Sequence, residues 1–137
     1  MEITYTNNIS AEENNMLREA VGWEVYRIDK LSVALERSDY IIAAYSDSKT
    51  VGMARVICDG LQALIIDVIV LPEYQGYGIG KTIMTLVMEY LESISHEGGV
   101  FVTLNAATGK ETFYKKFGFI ERPNDSRGAG MYQMIGK

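Results

Sequence analysis

The run PEYQGYGIGK, Pro72 to Lys81, places three glycines within five positions, directly after an apolar stretch and directly before a helical one. A chain that leaves a strand through glycine and enters a helix presents unpaired backbone N–H groups and the positive end of the helix dipole, which suits an anion. Spacing separates the known anion loops. A Walker A loop would need glycine where Gln75 stands, and a dinucleotide fingerprint would need one where Lys81 stands. What the residues spell is Q-x-x-G-x-G over Gln75 to Gly80. Gly78 and Gly80 lack the Cβ atoms that would hold phosphate oxygens away, and Lys81 adds a charge-assisted contact, so a pyrophosphate fits there. The alternative is a tight strand-to-helix turn that binds nothing.

Three other residues carry potential chemistry. Asp67 is the one ionisable side chain in the apolar run Ala63 to Leu71. Burying a carboxylate is costly unless it is paired or used, so Asp67 is either a base or ammonium binder, or a structural partner of a basic group. Tyr114 stands beside Phe113, Phe117 and Phe119. It is either a core aromatic or a neutral phenol able to give up a proton. Asn105 ends the run VFVTLN, where ligands of open parallel sheets bind or where an amide closes its own strand.

These residues need a scaffold, and the patterning supplies one. EITYTN reads as a first strand; Ser10 and Glu13 have capping-box spacing and start a helix through Ala20. A loop and a second helix with Ile28, Leu31 and Leu35 on one side follow. DYIIAAYS and TVGMARVIC form a hairpin around the turn DSK, and Asp59-Gly60 turns into LQALIIDVIVL, a strand apolar on both faces. From Ile79 the spacing becomes helical through Ile94, closed by Glu97 to Gly99. VFVTLN then makes a strand parallel to LQALIIDVIVL, since a helical crossover joins them. Thr108 and Glu111 again have capping-box spacing, Gly118 closes that helix, and GAGMYQMI reads as a final strand. The order predicts a mixed sheet with helices on both faces.

Composition narrows the partners. The 137 residues fit one domain over 1–137. A net charge of −5 argues against a nucleic-acid partner. No apolar run reaches the roughly 20 residues of a membrane helix. The N-terminus lacks a signal-peptide pattern, and the single thiol Cys58 fits a reducing cytoplasm. Cys58 and the lone His96 do not compose a Cys/His zinc site, so no metal is expected.

DVIVLPEYQGYGIGK resembles motif A of the GNAT superfamily of acyl-CoA-dependent N-acetyltransferases, and LNAATGKETFYKKFGF resembles that family's next strand and tyrosine-bearing helix. The resemblance implies a mixed, largely antiparallel sheet whose parallel pair splays to admit acetyl-CoA. Val68, Ile69 and Val70 would border the thioester and pantetheine. Gln75, Gly76, Tyr77, Gly78, Ile79, Gly80 and Lys81 would hold the pyrophosphate, with Tyr77 where many members carry a basic residue. Asn105 would bond the cofactor, a backbone N–H near Val70 would serve the oxyanion, and Tyr114 would protonate the departing sulfur. The acceptor would be a small-molecule primary amine attacking directly in a ternary complex, with Trp23, Tyr26 and Tyr132 near it and Asp67 as base or amine binder. Trp23 is equally an anchor between two helices. A non-catalytic acyl-CoA sensor of the same fold is the alternative. Many family members dimerise, so a homodimer is compatible with the resemblance.

Overall fold

A computed structural model describes residues 1–136. The chain forms two compact units, Met1–Leu104 and a second beginning at Asn105.

The first unit is built as β1 (Ile3–Thr6), α1 (Ala11–Ala20), α2 (Ile28–Glu36), β2 (Tyr40–Ser46), β3 (Lys49–Cys58), β4 (Gln62–Val70), a 3-10 turn (Pro72–Tyr74), α3 (Ile79–Ile94) and β5 (Phe101–Leu104). The strands lie in the order β1-β2-β3-β4-β5. All neighbours are antiparallel except β4 and β5, which run parallel. This is the mixed, mostly antiparallel sheet expected.

Local chemistry explains the elements. Ser10 Oγ accepts the Glu13 N–H at 3.0 Å and the Glu13 carboxylate accepts the Ser10 N–H at 2.9 Å, closing the capping box of α1. Helix α3 buries Ile79, Ile83, Met84, Val87 and Leu91, a stripe at helical spacing. Central strands β3 and β4 carry much of the buried apolar set, including Val51, Met53, Val56, Ile65 and Ile69. Helix α1 meets one face of the sheet, where Thr50 Oγ1 donates to Glu13 at 2.6 Å. Helix α3 packs against the other: a Cβ on Gly52 would stand 3.1 Å from Ile83 Cδ1 and 2.9 Å from the Ile69 carbonyl oxygen, so this close approach requires glycine.

The second unit contains α4 (Glu111–Lys115). Its start differs from the expectation. Thr108 does not cap it; Lys110 is the N-cap residue, and no side chain bonds there. A turn intervenes, with Lys110 N–H donating to the Ala107 carbonyl and Gly109 at φ +84°, so Thr108 faces a turn instead of a helix start. Gly118, at φ +89°, does follow the helix end as expected. The final strand expected over GAGMYQMI is not formed: no residue from 116 to 136 is in a strand. Alternating apolar residues suit a strand, but a strand needs a paired edge, and here Met131, Tyr132, Met134 and Ile135 are all strongly exposed.

Candidate active site

Pairing between β4 and β5 runs from Gln62–Phe101 to Ile65–Leu104. Beyond Ile65 that side of β4 has no strand beside it among the described residues, while its other side stays paired with β3 as far as Val70. The parallel ladder stops where β5 ends, so from Ile66 to Val70 this side of β4 is open among the described strands. Backbone groups alternate along a strand, and Leu71 N–H donates to Val51 on the β3 side at 2.9 Å. Val70 consequently turns its N–H and C=O to the opened side. Gln75 Nε2 donates to the Val70 carbonyl at 2.9 Å, which ties the following loop to the end of the opened strand.

That loop passes through Gly76 at φ +87° and Gly78 at φ +83°, both left-handed positions that favour glycine. Gly78 is the N-cap residue of α3. No side chain caps the helix and its first turn holds no acidic residue. Thr82 Oγ1 donates to the Gly78 carbonyl at 3.1 Å, which steadies the turn without occupying the amides. Tyr77, 67% exposed, points away from packing, and Lys81 is exposed too.

Asp67 interrupts β4 at a register slip. Met53 pairs with Ile69 but Arg55 with Ile66, so Ala54 faces both Asp67 and Val68. This is a β-bulge. The Asp67 carboxylate is buried and held at both oxygens: Arg18 Nη1 reaches Oδ1 at 2.6 Å and Arg55 Nε reaches Oδ2 at 3.0 Å. Arg55 Nη1 continues to Ser38 Oγ at 3.2 Å. Trp23 and Tyr26 lie in the loop between α1 and α2. The Arg18 guanidinium carbon is 4.4 Å from the Tyr26 ring centroid and 5.6 Å from that of Trp23. Asn15 bonds the Tyr26 backbone in both directions, at 2.7 and 3.0 Å.

In the second unit, Tyr114 is buried and meets Phe113 and Phe119 edge-on, with ring centroids 5.1 and 6.3 Å apart. Burial pushes its phenol above the ordinary 10.0, so it stays protonated at neutral pH. Asn105, the residue directly after β5, is exposed, and Tyr132 is 98% exposed.

Sequence reading missed Arg18, Arg55 and Asn14. Arg55 carried a usable signal: it is a lone cation in an apolar strand beside another apolar strand with a lone carboxylate. Arg18 carried none, being one more charged residue on an amphipathic helix. Asn14 is wholly buried, and its side-chain amide makes no hydrogen bond to the described residues.

The family model for the acetyltransferase (GNAT) domain matches residues 7–134. The chain belongs to the GNAT acetyltransferase family. As a member of it, the protein is an acyltransferase, and GNAT enzymes generally use acetyl-CoA as acetyl donor. It is 33% identical over 135 residues to an uncharacterized N-acetyltransferase, ycf52, of Porphyra purpurea, covering 95% of this chain and 76% of that one. It is 30% identical over 128 residues to a protein of Glycine max named histone acetyltransferase TAP1, covering 85% of this chain and 54% of that one. Among solved structures, the Staphylococcus aureus protein SA2161 superposes with a TM-score of 0.89 at 30% identity, covering 98% of this chain and 100% of that one. The GNAT protein SP0256 of Streptococcus pneumoniae superposes with a TM-score of 0.75 at 29% identity, over 99% and 98% of the two chains. No helix among the described residues is long and apolar enough to cross a membrane.

Proposed function

We propose that this GNAT protein transfers the acetyl group of acetyl-CoA to a primary amine by direct attack in a ternary complex. One observation carries the reading: among the described residues β4 has no strand partner on one side beyond Ile65, and a short turn and glycine loop lead from its end to a helix start that no side chain caps. The same stretch of backbone thus offers hydrogen bonds to an extended thioester arm and then donors to a pyrophosphate.

In this reading Val68, Ile69 and Val70 border the arm, and the amides from Gln75 to Lys81 take the pyrophosphate. Asn105 adds an amide to the cofactor. Acetyl-CoA supplies the electrophilic carbonyl when bound. A neutral amine nitrogen forms the new C–N bond, the C–S bond breaks, and the amine's surplus proton leaves to solvent. The Val70 N–H, turned to the opened side, supports the oxyanion. Tyr114 is the general acid for the departing sulfur; its match to the family tyrosine and its buried, protonated phenol support that role. Trp23 and Tyr26 line the acceptor's approach. The single thiol of Cys58 supports a reducing compartment, which we take to be the cytoplasm.

The test is an acceptor panel of polyamines, arylalkylamines, aminoglycosides, amino acids and lysine-bearing peptides, read by free thiol from acetyl-CoA. The peptides enter because a relative is named a histone acetyltransferase. At least one acceptor should release thiol. Tyr114→Phe should then lower kcat about 100-fold, with acetyl-CoA affinity unchanged within about threefold. Wild-type rates in that variant would remove Tyr114 from the mechanism. Tight acetyl-CoA binding with no thiol release from any acceptor would make the protein a binding module instead.

A further inference from the structure

Asp67 has φ +54° in the middle of a strand. Glycine takes this conformation freely and aspartate takes it at a cost. A bulge with a left-handed first residue usually carries glycine there. A non-glycine residue keeps such a backbone only where its surroundings over-determine it. Here two guanidiniums do so, Arg18 from α1 and Arg55 from β3, each on a different carboxylate oxygen. Arg18 is engaged further: its Nε donates to the Glu24 carbonyl at 2.7 Å, and its face lies against Tyr26 and Trp23. One side chain therefore joins the loop between α1 and α2 to the bulge of β4.

We infer that the Arg18–Asp67–Arg55 clamp is a positioning device, which holds the bulge and locks the Trp23–Tyr26 loop to it. Asp67 acts through the strand it shapes and not as the base. The bulge matters because a strand's amides alternate. Without the extra residue the register beyond it would shift by one, turning Ile69 in place of Val70 to the opened side. The clamp thus sets which amide faces a bound acyl group, and through Arg18 it fixes the loop an acceptor must pass. This deepens the transfer reaction proposed above and rests on it.

The experiment uses the full chain and the variants Asp67→Ala, Asp67→Gly and Arg18→Lys. Trp23 is the only tryptophan, so its fluorescence reports this loop alone. All three variants should raise acrylamide quenching of Trp23 at least about twofold, since the contacts run from Asp67 through Arg18 to the indole. Asp67→Ala should lower kcat about tenfold or more and raise the acetyl-CoA KM as well, because the shifted strand from Val68 to Val70 borders the cofactor arm. Asp67→Gly should keep several-fold more kcat than Asp67→Ala, because glycine adopts the left-handed bulge without a clamp. Equal loss of kcat in the two, with Trp23 unmoved, would overturn the proposal in favour of a base. Unmoved Trp23 in any folded variant, or wild-type kcat in Asp67→Ala, would overturn it as well. Should Asp67→Ala fail to fold, the Trp23 reading in Arg18→Lys decides. Absence of thiol release from the wild-type protein would sink the transfer reaction and leave the fluorescence result to judge the clamp by itself.

Discussion

Helix α1 begins at Ser10, where hydroxyl and carboxylate close a reciprocal capping box; helix α3 begins at Gly78, which has no side chain to offer. The Glu13 carboxylate also accepts from Thr50 at 2.6 Å and Tyr45 at 3.1 Å, so the start of α1 is tied to the sheet. Among the described residues, the side-chain hydrogen bonds at the start of α3 come from Gln75 and Thr82, and neither uses the first-turn amides. Both helices face the same unsatisfied donors at their first turn. One satisfies them internally and gains stability. The other leaves them open, which is the arrangement expected where a ligand completes the turn.

The largest expected effect comes from making α3 resemble α1. Gly78→Asp puts a carboxylate at the open start, where it competes with a pyrophosphate for the amides and repels it. Charge-assisted hydrogen bonds are worth about 1.5–3 kcal/mol each, so the acetyl-CoA KM should rise about 100-fold. Stability should also fall, by about 1–3 kcal/mol, since aspartate takes the left-handed backbone of Gly78 at a cost. An unchanged acetyl-CoA KM would show that α3 is open for some other reason.

Opening α1 should have the reverse profile. Ser10→Ala should cost about 1 kcal/mol, lowering the melting temperature by a few degrees. Its acetyl-CoA KM should stay at the wild-type value, and a matching loss of affinity would erase the distinction between the two starts.

The smallest effect is on the acid side of the stability curve. Burial raises the Glu13 pKa, but hydrogen bonds from Thr50, the Ser10 backbone and Tyr45 outweigh it and hold the group below 4.5. A depressed carboxylate contributes stability that is present above its unfolded value and lost as pH falls through its folded value. Urea midpoints from about pH 5 to pH 3 should therefore decline less steeply in Glu13→Gln than in wild type. An identical decline would mean that the cluster around α1 adds nothing by its charge.

Much of the fold was legible because its causes are local. The capping box of Ser10 and Glu13, the stripe from Ile79 to Leu91 and the glycines at 76 and 78 each follow from neighbours a few residues away. The errors fell where a local signal had a nonlocal condition. Thr108 and Glu111 have cap spacing, but a turn through Gly109 comes between them. GAGMYQMI alternates like a strand, yet alternation describes what a strand buries and not whether an edge is there to receive it.

The chain from Pro72 to Lys81 was determined by sequence alone: missing Cβ atoms, unpaired amides and a helical period need no distant partner to act. Asp67 was not. Its residue type announced a buried charge, but its role depended on Arg18, 49 positions away along the chain, and on a one-residue slip between β3 and β4. Register and ion pairing are relations between segments, so only the folded sheet could decide that this carboxylate shapes the strand that carries it.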